Sequence, residues 1–166
     1  AALLGETHQS ITVFLNQLKY ESLGMSHEAI SLAFIAVSCT GLAGGFSARL
    51  REKIGSERMG GRILLLGAVC CAALAATGSA LIAVLTVLIL RGCFSLFQPL
   101  YQDLQNKVIT TDDRTTALSM NAVIHDGLGI FLNLVFGAVA QYHVNGAFLF
   151  GAGLCLTGWM LFRKSA

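Results

Sequence analysis

Six mostly apolar runs dominate this chain, at approximately 1–23, 27–48, 61–77, 80–104, 115–141 and 144–162. Each is near the roughly 20 helical residues that cross a hydrocarbon layer about 30 Å thick. With 55% hydrophobic and only 12% charged residues, the chain falls far short of the charge of soluble domains, about a quarter of their residues. One Pro, 18 Gly and long runs in place of short alternating ones point to helices, not the strands of a barrel. The expected fold class is all-α, a polytopic membrane protein of six transmembrane helices. A net charge of +2, dispersed along the chain, excludes nucleic acid as a partner.

If successive runs alternate direction, nine of the eleven Lys and Arg residues fall on one side. Arg49, Arg51, Lys53, Arg58 and Arg62 occupy the second connection, Lys107 and Arg114 the fourth, and Arg163 and Lys164 the end. Cytoplasmic loops are enriched in Lys and Arg, so the even connections and the C-terminus are expected to be cytoplasmic. The opposite turns, Gly24 to Ser26, Gly78 with Ser79, and Tyr142 with His143, carry no Lys or Arg. The fourth connection offers Thr111 or Asp112 to cap the fifth span. Lys19 at the outer edge and Arg91 inside a span are the exceptions.

Polar residues concentrate in spans one, four and five, whereas spans three and six are almost wholly apolar and are expected to face lipid on most sides. Arg91, Ser95, Gln98, Gln102 and Gln105 recur at helical spacing and form one stripe of span four. Span five presents Ser119, Ala122, Asp126, Gly129, Asn133 and Gly137 in the same way, a polar or small face suited to a cavity or a close helix. Span one contributes Glu6, His8, Gln9, Asn16 and Gln17. Span two carries Ser31, Ser38, Thr40, Gly41, Gly44 and Gly45, which suit close packing.

Counting inward from either edge at helical rise brings Glu6, Arg91 and Asp126 to a common depth near the midplane. A charge there costs on the order of 3 kcal/mol, so these three imply pairing, a wet cavity, or both. An Arg91–Asp126 pair joining spans four and five would satisfy the requirement without any transport role. The five cysteines all lie in apolar runs without metal-ligand spacing, and they read as small apolar residues. No metal or cofactor is expected.

These features resemble the C-terminal half, helices seven to twelve, of a major facilitator superfamily transporter. Residues 44–55, with Gly45, Arg49, Arg51 and Gly55 followed by Arg58, are similar to a degenerate copy of that family's cytoplasmic loop signature. Arg49 stands where the signature usually has Asp. Leu90-Arg91-Gly92 is similar to the Arg-containing pattern of the fourth helix and of its repeat counterpart, the tenth. The segment Asp112-Asp113-Arg114-Thr115-Thr116-Ala117-Leu118-Ser119 resembles the start of the eleventh helix in many bacterial members. The resemblance implies that spans one, four and five, with a contribution from span two, surround a cavity. It also implies a proton-transfer role for Arg91.

The expected function is secondary transport of a small solute by alternating access, with protons as the candidate coupling ion. Glu6, Gln9, Asn16, Arg91, Gln98, His125, Asp126 and Asn133 are the candidate substrate or proton pathway, Asp126 and Glu6 the candidate proton carriers. The expected partners are the lipid bilayer of the plasma (cell inner) membrane, a small-molecule substrate and an N-terminal half of the same polypeptide. The first residue is Ala and no leader pattern follows, so the chain reads as an excised piece. Competing readings are a receptor or scaffold on the same fold, a self-paired homodimer, and an enzyme using His125 and Asp126. Adjacent helical residues diverge by about 100°, which counts against the enzyme.

Overall fold

The computed structural model describes residues 2–108 and 114–165, and among these the regular structure is all helical. Span one is continuous but changes register: α1 (Ala2–Gln9), a π-helical segment (Ser10–Leu15) and α2 (Asn16–Ser22). Span two runs through α3 (His27–Cys39), a 3-10 segment (Thr40–Phe46) and α4 (Ser47–Ile54). Then follow α5 (Ser56–Ala76), α6 (Ala80–Val108), α7 (Arg114–Tyr142) and α8 (Val144–Ser165). From His27 onward, five described helices are long and apolar enough to cross a membrane.

The turns have local chemical causes. Gly24 takes φ 76°, in the left-handed region that favours glycine, and closes α2; Ser26 then caps α3 by accepting from the Ala29 N–H at 3.3 Å. Thr77 accepts from the Ser79 N–H at 3.1 Å between α5 and α6, and His143 alone separates α7 from α8. The basic stretch from Arg49 to Arg62, expected as a connection, is helical apart from Gly55 at φ 84°. Its charge pattern concealed its helical conformation. The proposed caps Thr111 and Asp112, and Asp113 of the motif, lie outside the described residues.

α5 and α8 pack closely on each other; half of the most apolar stretch of α5 is buried inside the bundle, against 28% of that of α8. Ile63, Leu64, Ala68, Cys70, Cys71 and Leu74 of α5 are buried, and Leu65, Leu66 and Val69 form its exposed stripe. A methyl at Gly60 would fall 2.6 Å from the Phe162 ring, so these helices approach at small residues, as membrane helices do.

The small-residue face of span two meets α6 beside Pro99. Proline has no N–H and therefore frees the carbonyl four residues earlier. That carbonyl, of Ser95, lies 3.0 Å from where a Gly44 Cβ would be, and Ser47 donates to the neighbouring Leu96 carbonyl at 2.8 Å. Gly41 lies against Arg91, whereas Gly45 meets nothing within 4 Å. At the opposite end, Lys19 is buried and donates to Asn145 at 2.9 Å. It ties span one to α8.

Candidate functional site

Successive residues of α1 point about 100° apart, and i,i+4 pairs share a face. Four pairs are thereby aimed in four directions. Leu4 and His8 begin toward the interior; Gly5 and Gln9 meet the cavity; Glu6 and Ser10 meet α7; and Thr7 and Ile11 meet α8 at Gly151, where a methyl would lie 2.9 and 3.2 Å from them. His8 meets Arg91 of α6, and Thr12 lies beside the His8 ring. The Thr12 hydroxyl donates to the His8 carbonyl at 2.8 Å, the acceptor that an α-helix assigns to Thr12's own N–H. The π segment spans that point, whereas the same bond at Thr86, Ser95 and Thr157 leaves the α-helix regular. The Asn16 N–H bonds the Ile11 carbonyl, five residues back.

On the α7 side, Asn133 organises the contact. Its Nδ2 donates to Glu6 Oε2 and to the Gly129 carbonyl, each at 3.0 Å, while its Oδ1 accepts from Ser10 at 2.6 Å. Gly129 makes room: a methyl there would stand 2.8 Å from the Glu6 carboxyl carbon. His125 Nδ1 lies 3.9 Å from Glu6 Oε1 and 3.9 Å from Asp126 Oδ1. The two acids differ in setting, since the Glu6 side chain is 9% exposed and that of Asp126 is 80% exposed.

On the α6 side, Arg91 Nη1 lies 3.1 Å from His8 Nε2. A guanidinium only donates, so that nitrogen presents its lone pair. The His8 ring stacks on Phe94 with centroids 4.1 Å apart and planes 5° apart. No ion pair joins Arg91 to Asp126 among the described residues. Arg91 instead turns between span two and His8, because the neighbours of its stripe at that level are Gly41 and α1.

A cavity of about 360 Å³ opens between α1, α6 and α7, within the size range of small-molecule sites. It runs toward the end of the bundle that bears the Arg51–Asp103 ion pair (2.5 Å). Of the sequence candidates, Glu6, Gln9, Gln98, His125 and Asp126 line it. A recess toward the opposite end is lined by Asn133, Phe14 and Leu134, and by Glu6, Gln9 and Asp126 again. Arg91 and Asn16 line neither. Asn16 is fully buried; its Oδ1 accepts from the Gln17 N–H, while its Nδ2 and the buried Tyr20 hydroxyl have no partner among the described residues.

Sequence reasoning passed over Phe94, Phe97 and Tyr101, which line the cavity beside the glutamines of α6. Their spacing of three and four places them on one face, a signal that was present but masked by the general apolarity of the span. Asn121, which donates to the Tyr101 hydroxyl at 3.0 Å, was likewise visible only as one more polar residue of span five. Of the loop-signature residues, Arg51 pairs with Asp103 of α6, Gly55 makes the turn, and Arg49 and Arg58 are exposed.

No curated protein and no solved structure matches the chain. The family model described as the Major Facilitator Superfamily matches residues 2–166. A multi-pass bundle of apolar helices, built around a cavity with polar walls at mid-depth, agrees with that match. The chain belongs to the Major Facilitator Superfamily of membrane transporters.

Proposed function

We propose that this chain is the C-terminal half of a secondary transporter that moves a small solute by alternating access, with proton coupling through Glu6. One observation carries the reading: Glu6, Gln9 and Asp126 line both the cavity toward the basic end and the recess toward the other end. A solute held at these residues needs only a change in which end is open. Glu6 suits the coupling role better than Asp126. It is buried and bonded to Asn133, so opening and closing the α1–α7 contact changes both its solvation and its hydrogen bonding, two of the three quantities that govern a carboxyl's proton affinity.

The basic end is cytoplasmic in this reading, and an N-terminal half of the polypeptide completes the open side of the cavity. The exposed apolar residues Leu32, Ile35 and Leu42 of span two and Val123, Ile130 and Leu134 of α7 are available to that half or to lipid. The test is solute-driven proton movement in proteoliposomes of the full-length protein, screened with small solutes and read by an internal pH dye. Glu6→Gln is expected to abolish proton movement while leaving solute exchange. Proton movement that persists in Glu6→Gln removes Glu6 from coupling. Alternating access predicts that a transported solute changes maleimide labelling of Gln105→Cys and Phe14→Cys in opposite directions; parallel changes refute it.

A further inference from the structure

We infer that the cavity accepts an organic cation: a protonated amine or similar head carried on a flat apolar body. The inference rests on the transport reading only for the site's purpose, and it concerns the chemistry of the walls. The ionisable lining residues are Glu6, Asp126 and His125. With both carboxyls ionised, this wall keeps an excess negative charge even when His125 is protonated. Arg91 bonds His8, whose ring stacks on Phe94, and lines neither the cavity nor the recess. No Lys or Arg lines the cavity among the described residues.

The rest of the wall suits the same ligand. Phe97 and Tyr101 stack with planes 5° apart and, with Phe94, give the cavity an aromatic side. Aromatic faces attract cations through their quadrupole and offer contact area to a flat apolar body. Tyr101 already accepts from Asn121 at 3.0 Å, so its own hydroxyl proton remains available to a ligand acceptor. The amides of Gln9 and Gln98 are neutral and can donate or accept. They orient a head group without opposing its charge.

Three probes of one shape and different charge test this in the purified full-length protein: 2-naphthylmethylammonium, 2-naphthylmethanol and 2-naphthoate. Binding is measured by thermal shift and by titration, without transport. The ammonium is expected to bind at least ten times more tightly than the other two. Asp126→Asn, at a side chain exposed enough to tolerate exchange, is expected to weaken the ammonium about tenfold more than the alcohol. Naphthoate binding as tightly as the ammonium, equal affinities, no binding by any probe, or an Asp126→Asn effect that ignores charge overturns the inference. A protein that prefers the ammonium yet moves no solute supports this inference while the transport reading fails; one that transports but prefers naphthoate does the reverse.

Discussion

Gly129 and Gly127 lie two residues apart on α7 and make a controlled pair. An alanine methyl at Gly127 meets nothing within 4 Å, whereas one at Gly129 would stand 2.8 Å from Glu6 Cδ and Oε1 and 3.0 Å from Oε2. Carbon contacts prefer about 3.5–4.0 Å, so the Glu6 carboxyl must retreat by roughly 1 Å. That retreat breaks its 3.0 Å bond from Asn133. Both substitutions gain about 0.5–1 kcal/mol of helix stability over glycine, and this gain cancels in the comparison. What remains is the lost interhelical hydrogen bond and the crowding. Hydrogen bonds between membrane helices average about 0.6 kcal/mol and reach about 1.7, so Gly129→Ala should fall about 1–2 kcal/mol below Gly127→Ala once crowding is added.

Reversible unfolding of the full-length protein in detergent measures this difference, and a double-mutant cycle assigns it. In a Glu6→Ala background the obstacle is gone, so Gly129→Ala should change from a cost to a gain and match Gly127→Ala. The same displacement should uncouple proton movement without removing any ionisable group. Gly129→Ala that is as stable as Gly127→Ala, or a penalty that persists without Glu6, would refute the assignment of Gly129 as the seat of the carboxyl.

Further expectations follow from other contacts. Gly44→Ala places a methyl 3.0 Å from the Ser95 carbonyl, a backbone atom that cannot swing aside, and overpacking of this kind costs about 1–3 kcal/mol; Gly45→Ala should be neutral, and equal effects in an unfolding assay would sink the packing account. Arg51→Ala removes an ion pair whose side chains are about a third exposed, so its stability change should stay below about 1 kcal/mol, with a larger loss counting against a purely superficial pair. In a Cys39→Ser background, an impermeant maleimide applied outside cells should label Tyr142→Cys and spare Arg163→Cys; the opposite pattern would reverse the orientation.

The spans and their polarity were legible because each follows from one period and one solvent. Helical spacing placed Arg91 with Gln98 and Asp126 with Asn133, and the level of Glu6 followed from rise per residue. What spacing cannot convey is which neighbour a stripe meets. Arg91 and Asp126 were counted to one depth, yet α1 supplies His8 to Arg91, while Asp126 stays exposed beside His125 of its own helix. The helical stretch around Gly55 was hidden for a related reason: charge marks a membrane surface, but amphipathic helix and loop carry the same charge there. The π segment was hidden because neither Gly nor Pro marks it.

The position of α1 explains how an acid and an Arg at one depth avoid neutralising each other. Glu6 and His8 are two residues apart and so point about 200° apart around the helix. Glu6 is held by Asn133 of α7, and His8 holds Arg91 of α6. The cavity opens between these contacts at Gly5 and Gln9. Had Arg91 reached Glu6 directly, their attraction in a low-dielectric setting would have fixed both and closed the space between α6 and α7. Meeting α1 on opposite faces, the two contacts give Arg91 and Glu6 separate partners, His8 and Asn133. This arrangement leaves Asp126 exposed at the cavity wall.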